Sequence, residues 1–365
     1  MANGLFAGGT GILGDPFLIE DAHDLNAIRN NLAAHYKLIN DIDLNVAPYN
    51  EGGGWIPISI GSGSVTLDGD GHKVSRLYIN RPATSSQGLF GLVGGNYPKI
   101  KNLSLIDVNI TGGVSCGALV SNGAVLIDNC SATGVVNGGA LDVGGLVGRS
   151  TLNSIIKNCY SMVSVSGEND LGGVVGRGNN SSAIVNCYSV GSVTGTGIRS
   201  GGLTGYLATP SLSKNSFWNT ETSGKATSAT GTGLSTQQMQ TAQTFRDAGW
   251  DLELNDEGNP VWTLEDGRYP KLWFEVEFLF LIKSNNKIHT LSKDGDSVVY
   301  ANLQEPLTQA DYEKWGMNGL VGYENEIDKV LVEMDEDGEL EDGRVVRKLV
   351  NKNEFRINRI EVTNK

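Results

Sequence analysis

The chain has 365 residues, enough for a sizeable core and more than one domain, and its 41 acidic against 28 basic side chains leave a net charge of −13. A phosphate backbone repels such a chain, and no stretch concentrates the basic residues, so nucleic acid is excluded as an expected partner. Glycine contributes 49 residues without a three-residue period, which rules out collagen and favours a turn-rich β architecture.

At the start of the chain, Met1 to Thr10 has neither a basic region nor an apolar run of signal-peptide type, so no secretory leader is expected. Asp21-Ala-His-Asp-Leu-Asn-Ala-Ile-Arg29 predicts a short amphipathic helix with Asp21 as N-cap and Leu25, Ile28 and Leu32 on one face. Residues 1–35 therefore read as a cap that plugs the open end of a β structure.

From Tyr36 to Trp218 the sequence repeats itself with a period of roughly 28 residues. A Gly-Leu-Val-Gly type word recurs as Phe90-Gly-Leu-Val-Gly94, Gly117-Ala-Leu-Val-Ser121, Gly145-Leu-Val-Gly148, Gly173-Val-Val-Gly176 and Gly202-Leu-Thr-Gly205, with leading glycines placed at 91, 117, 145, 173 and 202. A second word, Ile-x-Asn-Cys in three of its copies, sets asparagines at Asn102, Asn129, Asn158, Asn186 and Asn215. A third, valine-rich word lies at Val108–Ile110, Thr133–Val136, Val163–Val165 and Val190–Val193. Three short strand words per repeat cannot bury themselves alone. Stacked as coils they pair every backbone group and bury columns of Leu, Ile and Val, so the expected fold is an all-β, right-handed parallel β-helix. The five asparagines form a turn ladder, because Asn tolerates the left-handed backbone that bends one strand into the next.

Cys130, Cys159 and Cys187 follow the turn asparagine in three successive coils and, with Cys116, are expected to be buried free thiols rather than disulfides or metal ligands. If they point inward, Tyr160 and Tyr188, with Phe217 on the next coil, point outward as an aromatic column that serves either as a sugar-stacking strip or as a rigid outer ladder. Residues 219–274 read as the second cap, with a helical stretch from Ser235 to Phe245 and the aromatic words Gly249-Trp-Asp, Val261-Trp-Thr and Tyr269–Trp273. Residues 275–365 lose the repeat and gain charge, and their alternating words predict hairpins around Ser284-Asn-Asn and Asp294-Gly in a small β-rich domain for attachment or oligomerisation.

Val143-Gly-Gly-Leu-Val-Gly148 followed by Asn158-Cys-Tyr160 resembles the GLUG-repeat β-helices of bacterial surface and phage proteins. Leu67–Pro82 is similar to their lead-in coil, and Asp15–Ile19 to Asp41–Leu44 to their capping segment, so the resemblance runs from Gly8 to Trp273. Leu307–Leu320, with Trp315-Gly-Met-Asn318, resembles a segment of tail-fibre and tail-associated proteins of phages of Gram-positive bacteria, although two positions of that four-residue word depart from the pattern. Together the resemblances imply a tail appendage or baseplate-associated structural protein that binds a glycan receptor on the host surface. With no secretory leader expected, the tail resemblance further implies a virion protein assembled in the host cytoplasm with other tail or baseplate proteins, and possible trimers; the most apolar later run, Phe278–Ile282, is too short to span a bilayer, so no membrane insertion is expected.

No catalytic residue, metal ligand or cofactor is assigned. Asp68 and Asp70, with Asp41 and Asp43 nearby in sequence, could serve as a carboxylate pair for glycoside hydrolysis or as calcium ligands, but Asp68-Gly-Asp-Gly-His72 matches a structural turn of the resembled family. The Asp-x-Asp-Gly run in Glu333–Asp342 has Arg344 where an EF-hand needs Glu. His23, His35, His72 and His289 lie in no nucleophile motif. If the solenoid binds glycan, the expected contacts are Asn96, Tyr97, Arg149, Arg177, Asn179, Asn180 and Tyr206, which recur along one edge, together with Tyr160 and Tyr188. A polysaccharide-depolymerising tailspike and a bacterial surface adhesin remain as alternative functions.

Overall fold

In the computed structural model the described residues are 6–253, less Ser62, Gly95, Asn96, Asn180, Thr196 and Pro210, then 261–275 and the strands 280–284, 287–291 and 298–301. The chain divides into two compact units, 1–250 and 251–365.

The first unit is a parallel β-solenoid with three sheets. The first sheet runs Phe17–Ile19, His35–Leu38, Thr66–Asp68, Lys99–Gly112, Leu126–Gly138, Tyr160–Gly167, Tyr188–Ser189, Phe217–Asn219 and Thr232–Leu234, with shorter strands pairing off this path. The second sheet stacks Cys116–Gly117, Leu141–Gly144, Asn169–Gly172 and Ser200–Gly201. The third stacks Ile58–Ile60, Phe90–Val93, Val120–Gly123, Val147–Ser150, Val175–Gly178 and Thr204–Leu207. All pairings between successive coils of these sheets are parallel, and one continuous core from Ile19 to Trp218 fills the interior.

The turn ladder forms as expected. Asn102, Asn129, Asn158, Asn186 and Asn215 all have left-handed backbone, with φ of 54°, 53°, 53°, 51° and 47°. Their amides then link the coils. Asn129 Nδ2 donates to Asn102 Oδ1 at 3.1 Å and Asn186 Nδ2 to Asn158 Oδ1 at 3.3 Å, while Asn102 and Asn158 donate to Asp68 and Asp128.

The glycine words align differently from the sequence expectation. Gly117 pairs with Gly144, Gly172 and Gly201, whereas Gly145 stands beside Ala118, and Gly91 lies next to the Leu92 that registers with Asn122 and Arg149. The leading glycines at 91 and 117 thus belong to columns other than that of Gly145, Gly173 and Gly202. Each glycine column answers a separate close approach. A Cβ on Gly145 or Gly173 would strike the Ser161 or Ser189 hydroxyl of the first sheet, and one on Gly148 or Gly176 would strike the backbone of the second sheet.

Cys130, Cys159 and Cys187 are free and fully buried, in register with Leu103 before them and followed by Ser216. After the last four turn asparagines, Cys130, Cys159, Cys187 and Ser216 each place a side-chain donor on the carbonyl two residues back. Cys130 Sγ lies 3.3 Å from Asp128 O and Cys187 Sγ 3.2 Å from Val185 O, and Ser216 Oγ donates to Lys214 O at 2.9 Å. A valine would fill the space and leave those carbonyls without this contact, which accounts for Cys and Ser here. Burial holds the Cys159 thiol well above its usual range and pushes Cys116 up to about 12. All four thiols are buried, so they should resist a water-soluble disulfide reagent in the native protein and react together once it is unfolded. Rapid native labelling of Cys159 would contradict this packing.

The helix at Ala22–Ala27 is capped by Asp21, whose side chain accepts from the His23 and Asp24 amides, and Leu25 and Ile28 enter the core. At the other end, Thr236–Met239 opens on a capping box between Ser235 and Gln238, and Ala242–Asp247 follows. Of the aromatic words assigned to this cap, only Gly249-Trp250 falls in the solenoid unit.

In the second unit, Trp262–Thr263 pairs antiparallel with Lys271–Leu272, and Phe280–Ser284, Lys287–Leu291 and Val298–Ala301 form an antiparallel meander. The strands on either side of the expected Ser284-Asn-Asn turn pair antiparallel, and the two asparagines themselves lie outside the described residues. Asp294-Gly, the Leu307–Leu320 segment and Glu333–Asp342 lie outside the described residues.

Candidate functional site

The regular stacking of the third sheet sets one outward residue per coil in a single row. Leu92, Asn122, Arg149, Arg177 and Tyr206 are consecutive register partners, at the ~4.8 Å step between strands. Arg149, Arg177 and Tyr206, selected from the sequence, are thus brought together. Asn179 joins them by accepting a hydrogen bond from Arg177 Nε at 3.3 Å. Tyr97, 37% exposed, stands on the coil of Leu92, two coils from Arg149, and is not part of the cluster. Asn96 and Asn180 lie outside the described residues.

Two residues not anticipated from the sequence hold this face in place. Asp142 and Asp170 occupy one corner of successive coils with φ of 60° and 54°, and both are fully buried. Asp142 pairs with Arg149 and accepts from Ser115 Oγ at 3.3 Å. Asp170 binds Arg177 Nη1 at 3.1 Å and lies 2.6 Å from Arg199 Nε, a close ion contact not aligned as a hydrogen bond. The guanidinium carbons of Arg177 and Arg199 lie 4.9 and 5.0 Å from the centre of the Tyr206 ring. The sequence signal was a residue two before the Gly-Gly pair, in Asp142-Val-Gly-Gly and Asp170-Leu-Gly-Gly. Ser115, with φ of 60°, fills the same corner one coil earlier.

Burial raises the Asp170 carboxyl above its usual range, against the opposing pull of Arg199 and Arg177. Its ionisation is therefore harder in the folded chain than in the unfolded one. Its contribution to stability is greatest below the ordinary carboxylate range and falls as pH rises through the raised value. Asp170→Asn keeps a side chain suited to the left-handed turn, and the two guanidiniums it leaves are partly exposed to water, so it should cost less than Asp170→Ala and abolish that pH slope. Asp170→Ala loses both turn tolerance and partners and should cost about 2–3 kcal/mol. Equal effects in urea titrations would show that the turn is not what Asp170 supplies.

The aromatic column differs from the sugar-stacking expectation. Tyr160 and Tyr188 do stack, with ring centres 5.0 Å apart at 10°, but Tyr188 is wholly buried and Tyr160 is 6% exposed. The returning chain covers them. Phe245 and Trp250 pack on Tyr188 at 6.3 and 6.2 Å and on Phe217 at 5.6 and 5.9 Å. Asn215, the last rung of the turn ladder, anchors that segment by donating to Ala248 O and accepting from Trp250 Nε1 through its carbonyl. The sealed column is a core, and no sugar reaches it.

Asp68 and Asp70 are also drawn into the scaffold. In the first sheet Lys37, Asp68, Lys101, Asp128 and Lys157 are register partners of alternating charge. Asp68 pairs with Lys101 at 3.1 Å, Asp128 with Lys157 at 2.8 Å and Asp70 with Lys37 at 2.9 Å. Asp41 contacts His72 at 3.1 Å, and Asp43 pairs with Arg76. The more exposed of these pairs, such as Asp70–Lys37 and Asp43–Arg76, are each worth about 0–1 kcal/mol and set register more than stability. Among the described residues no three His, Cys, Asp or Glu side chains gather as for a metal ion, and no helix is long and apolar enough to cross a membrane.

No family model matches the chain. Halomucin of Haloquadratum walsbyi is 36% identical over 169 residues, covering 43% of this chain and 2% of halomucin. A protein of Evansella cellulosilytica described as a Gly-rich membrane protein is 33% identical over 188 residues, covering 41% of this chain and 22% of that protein. The chain thus spans only a small part of either relative. A crystal structure from Bacteroides ovatus, described as that of an immunoglobulin A1 protease, superposes with a TM-score of 0.55 at 21% identity, over 74% of this chain and 96% of that one. At that identity the likeness concerns the fold alone, and the fold is a parallel β-solenoid of about six turns.

Proposed function

We propose that this chain is a recognition arm without catalytic function, carried on the outside of a larger assembly, and that its solenoid binds a surface glycan through the third sheet. The carrying observation is the row Arg149, Arg177 and Tyr206 on three successive coils, with planar hydrogen-bonding groups held from beneath by Asp142 and Asp170. A rigid, evenly spaced row of this kind suits a polymer of repeated sugars. On this reading the assembly is the tail or baseplate of a phage or phage-like particle, other tail proteins or two further copies are the partners, and residues 275–365 make the attachment. Support for that placement is the resemblance of Leu307–Leu320 to tail-fibre segments.

A second placement, a cell-surface adhesin, is favoured by the matches to halomucin and to the Gly-rich membrane protein. Mass spectrometry of purified particles and of the cell envelope separates the two: the tail reading expects the chain in the particles and fails if it is found only in the envelope. Incubation with wall polysaccharide should release no new reducing ends. Their appearance would replace recognition with depolymerisation.

A further inference from the structure

We infer that the cluster of Arg177, Arg199 and Tyr206 is an oxyanion subsite, so that the glycan bound by this face carries carboxylate or phosphate groups; this rests on the glycan-binding reading above. The first argument is charge. On this face Arg149 is matched by Asp142, and on the first sheet Lys101 is matched by Asp68 and Lys157 by Asp128. Asp170 instead serves two guanidiniums at once, Arg177 and Arg199, which among the ion pairs of the described residues leaves one positive charge in surplus on a chain of net charge −13.

The second argument is donor accounting. A guanidinium has five N–H donors in a fixed plane. Arg177 spends Nε on Asn179 and one Nη1 hydrogen on Asp170, and Arg199 turns Nε toward Asp170. Among the described residues Arg177 Nη2 and both terminal nitrogens of Arg199 are left over, on side chains 27% and 39% exposed. The two forks are held in advance by a fully buried carboxylate and by a shared ring, so little ordering is required when a ligand arrives. Planar forks of this kind match the two oxygens of a carboxylate or phosphate. Neutral sugar hydroxyls accept hydrogen bonds but neutralise none of the surplus charge.

The test measures equilibrium binding of the full chain to polygalacturonate, poly(glycerol phosphate), dextran and a neutral wall polysaccharide, at low and high salt. The expected result is binding to at least one acidic polymer at least tenfold tighter than to either neutral one, weakening as salt rises. Whichever acidic polymer binds identifies carboxylate or phosphate as the source of the oxyanion. Arg199→Gln should weaken that binding at least fivefold, and Arg199→Lys should restore part of it by returning the charge without the fork. Lys157→Gln, on the first sheet, should leave it unchanged. Thermal unfolding of each variant establishes that it folds. Equal binding of neutral and acidic polymers, unaffected by Arg199→Gln, would overturn the oxyanion subsite while leaving glycan recognition intact. Binding to none of the four would overturn both.

Discussion

Gly176→Ala should cost about 3 kcal/mol, the upper end of what overpacking usually costs, whereas Gly14→Ala should cost almost nothing. A Cβ on Gly176 would sit 2.6 Å from Asp170 O, 2.6 Å from Val143 N and 2.7 Å from Gly148 O, all backbone atoms of neighbouring strands that no rotamer change can move aside. A Cβ on Gly14 would meet nothing within 4 Å. The two substitutions add the same methyl group, so their difference isolates the close approach of the second and third sheets. Because each coil is stabilised chiefly by its neighbours, the loss should also break cooperativity, with coils on the C-terminal side of Gly176 melting first. Urea unfolding followed by far-ultraviolet circular dichroism checks both points. A Gly176→Ala protein as stable as the Gly14→Ala protein would mean that the sheets do not approach as closely as described.

The second large effect lies at the cap. Phe245 is 1% exposed, with its ring 4.8 Å from Trp250, 5.6 Å from Phe217 and 6.3 Å from Tyr188. Phe245→Ala removes the centre of that cluster and should cost about 3–5 kcal/mol, as large-to-small aromatic substitutions in cores do. The loss should be visible as a red shift of Trp250 emission, since the indole would gain water. It should also open the Tyr160 and Tyr188 column, so an apolar dye that ignores the native protein should bind the variant. A loss below about 1 kcal/mol would mean that the returning segment rests on the solenoid without sealing it.

The Asn ladder was legible because one residue type does one job: the turn demands left-handed backbone, and Asn at 102, 129, 158, 186 and 215 supplies it on five successive coils. The glycine columns were harder. Each word contains glycines with different duties, so spacing alone placed Gly117 with Gly145 although it stacks on Gly144. The second corner escaped notice because Ser115, Asp142 and Asp170 meet the same backbone demand with different side chains. The alternating ladder was readable in the residue before the first three turn asparagines, as Lys101, Asp128 and Lys157, but only once the coils are in register. The burial of Tyr188 was not legible locally, because the groups that cover it, Phe245 and Trp250, come from a part of the chain that carries no repeat. For the candidate site, the row of Arg149, Arg177 and Tyr206 was visible from the repeat. Its supports, Asp142 and Asp170, and the second cation Arg199 required the fold.

The most direct test of glycan recognition by the third sheet is saturable binding of the full chain to wall polysaccharide of Gram-positive cells, measured beside a variant carrying Arg177→Ala and Tyr206→Ala. The row predicts binding by the natural chain and at least a tenfold loss in the variant, with its unfolding curve still cooperative. Undiminished binding by a folded variant would place recognition elsewhere and leave the third sheet as scaffold.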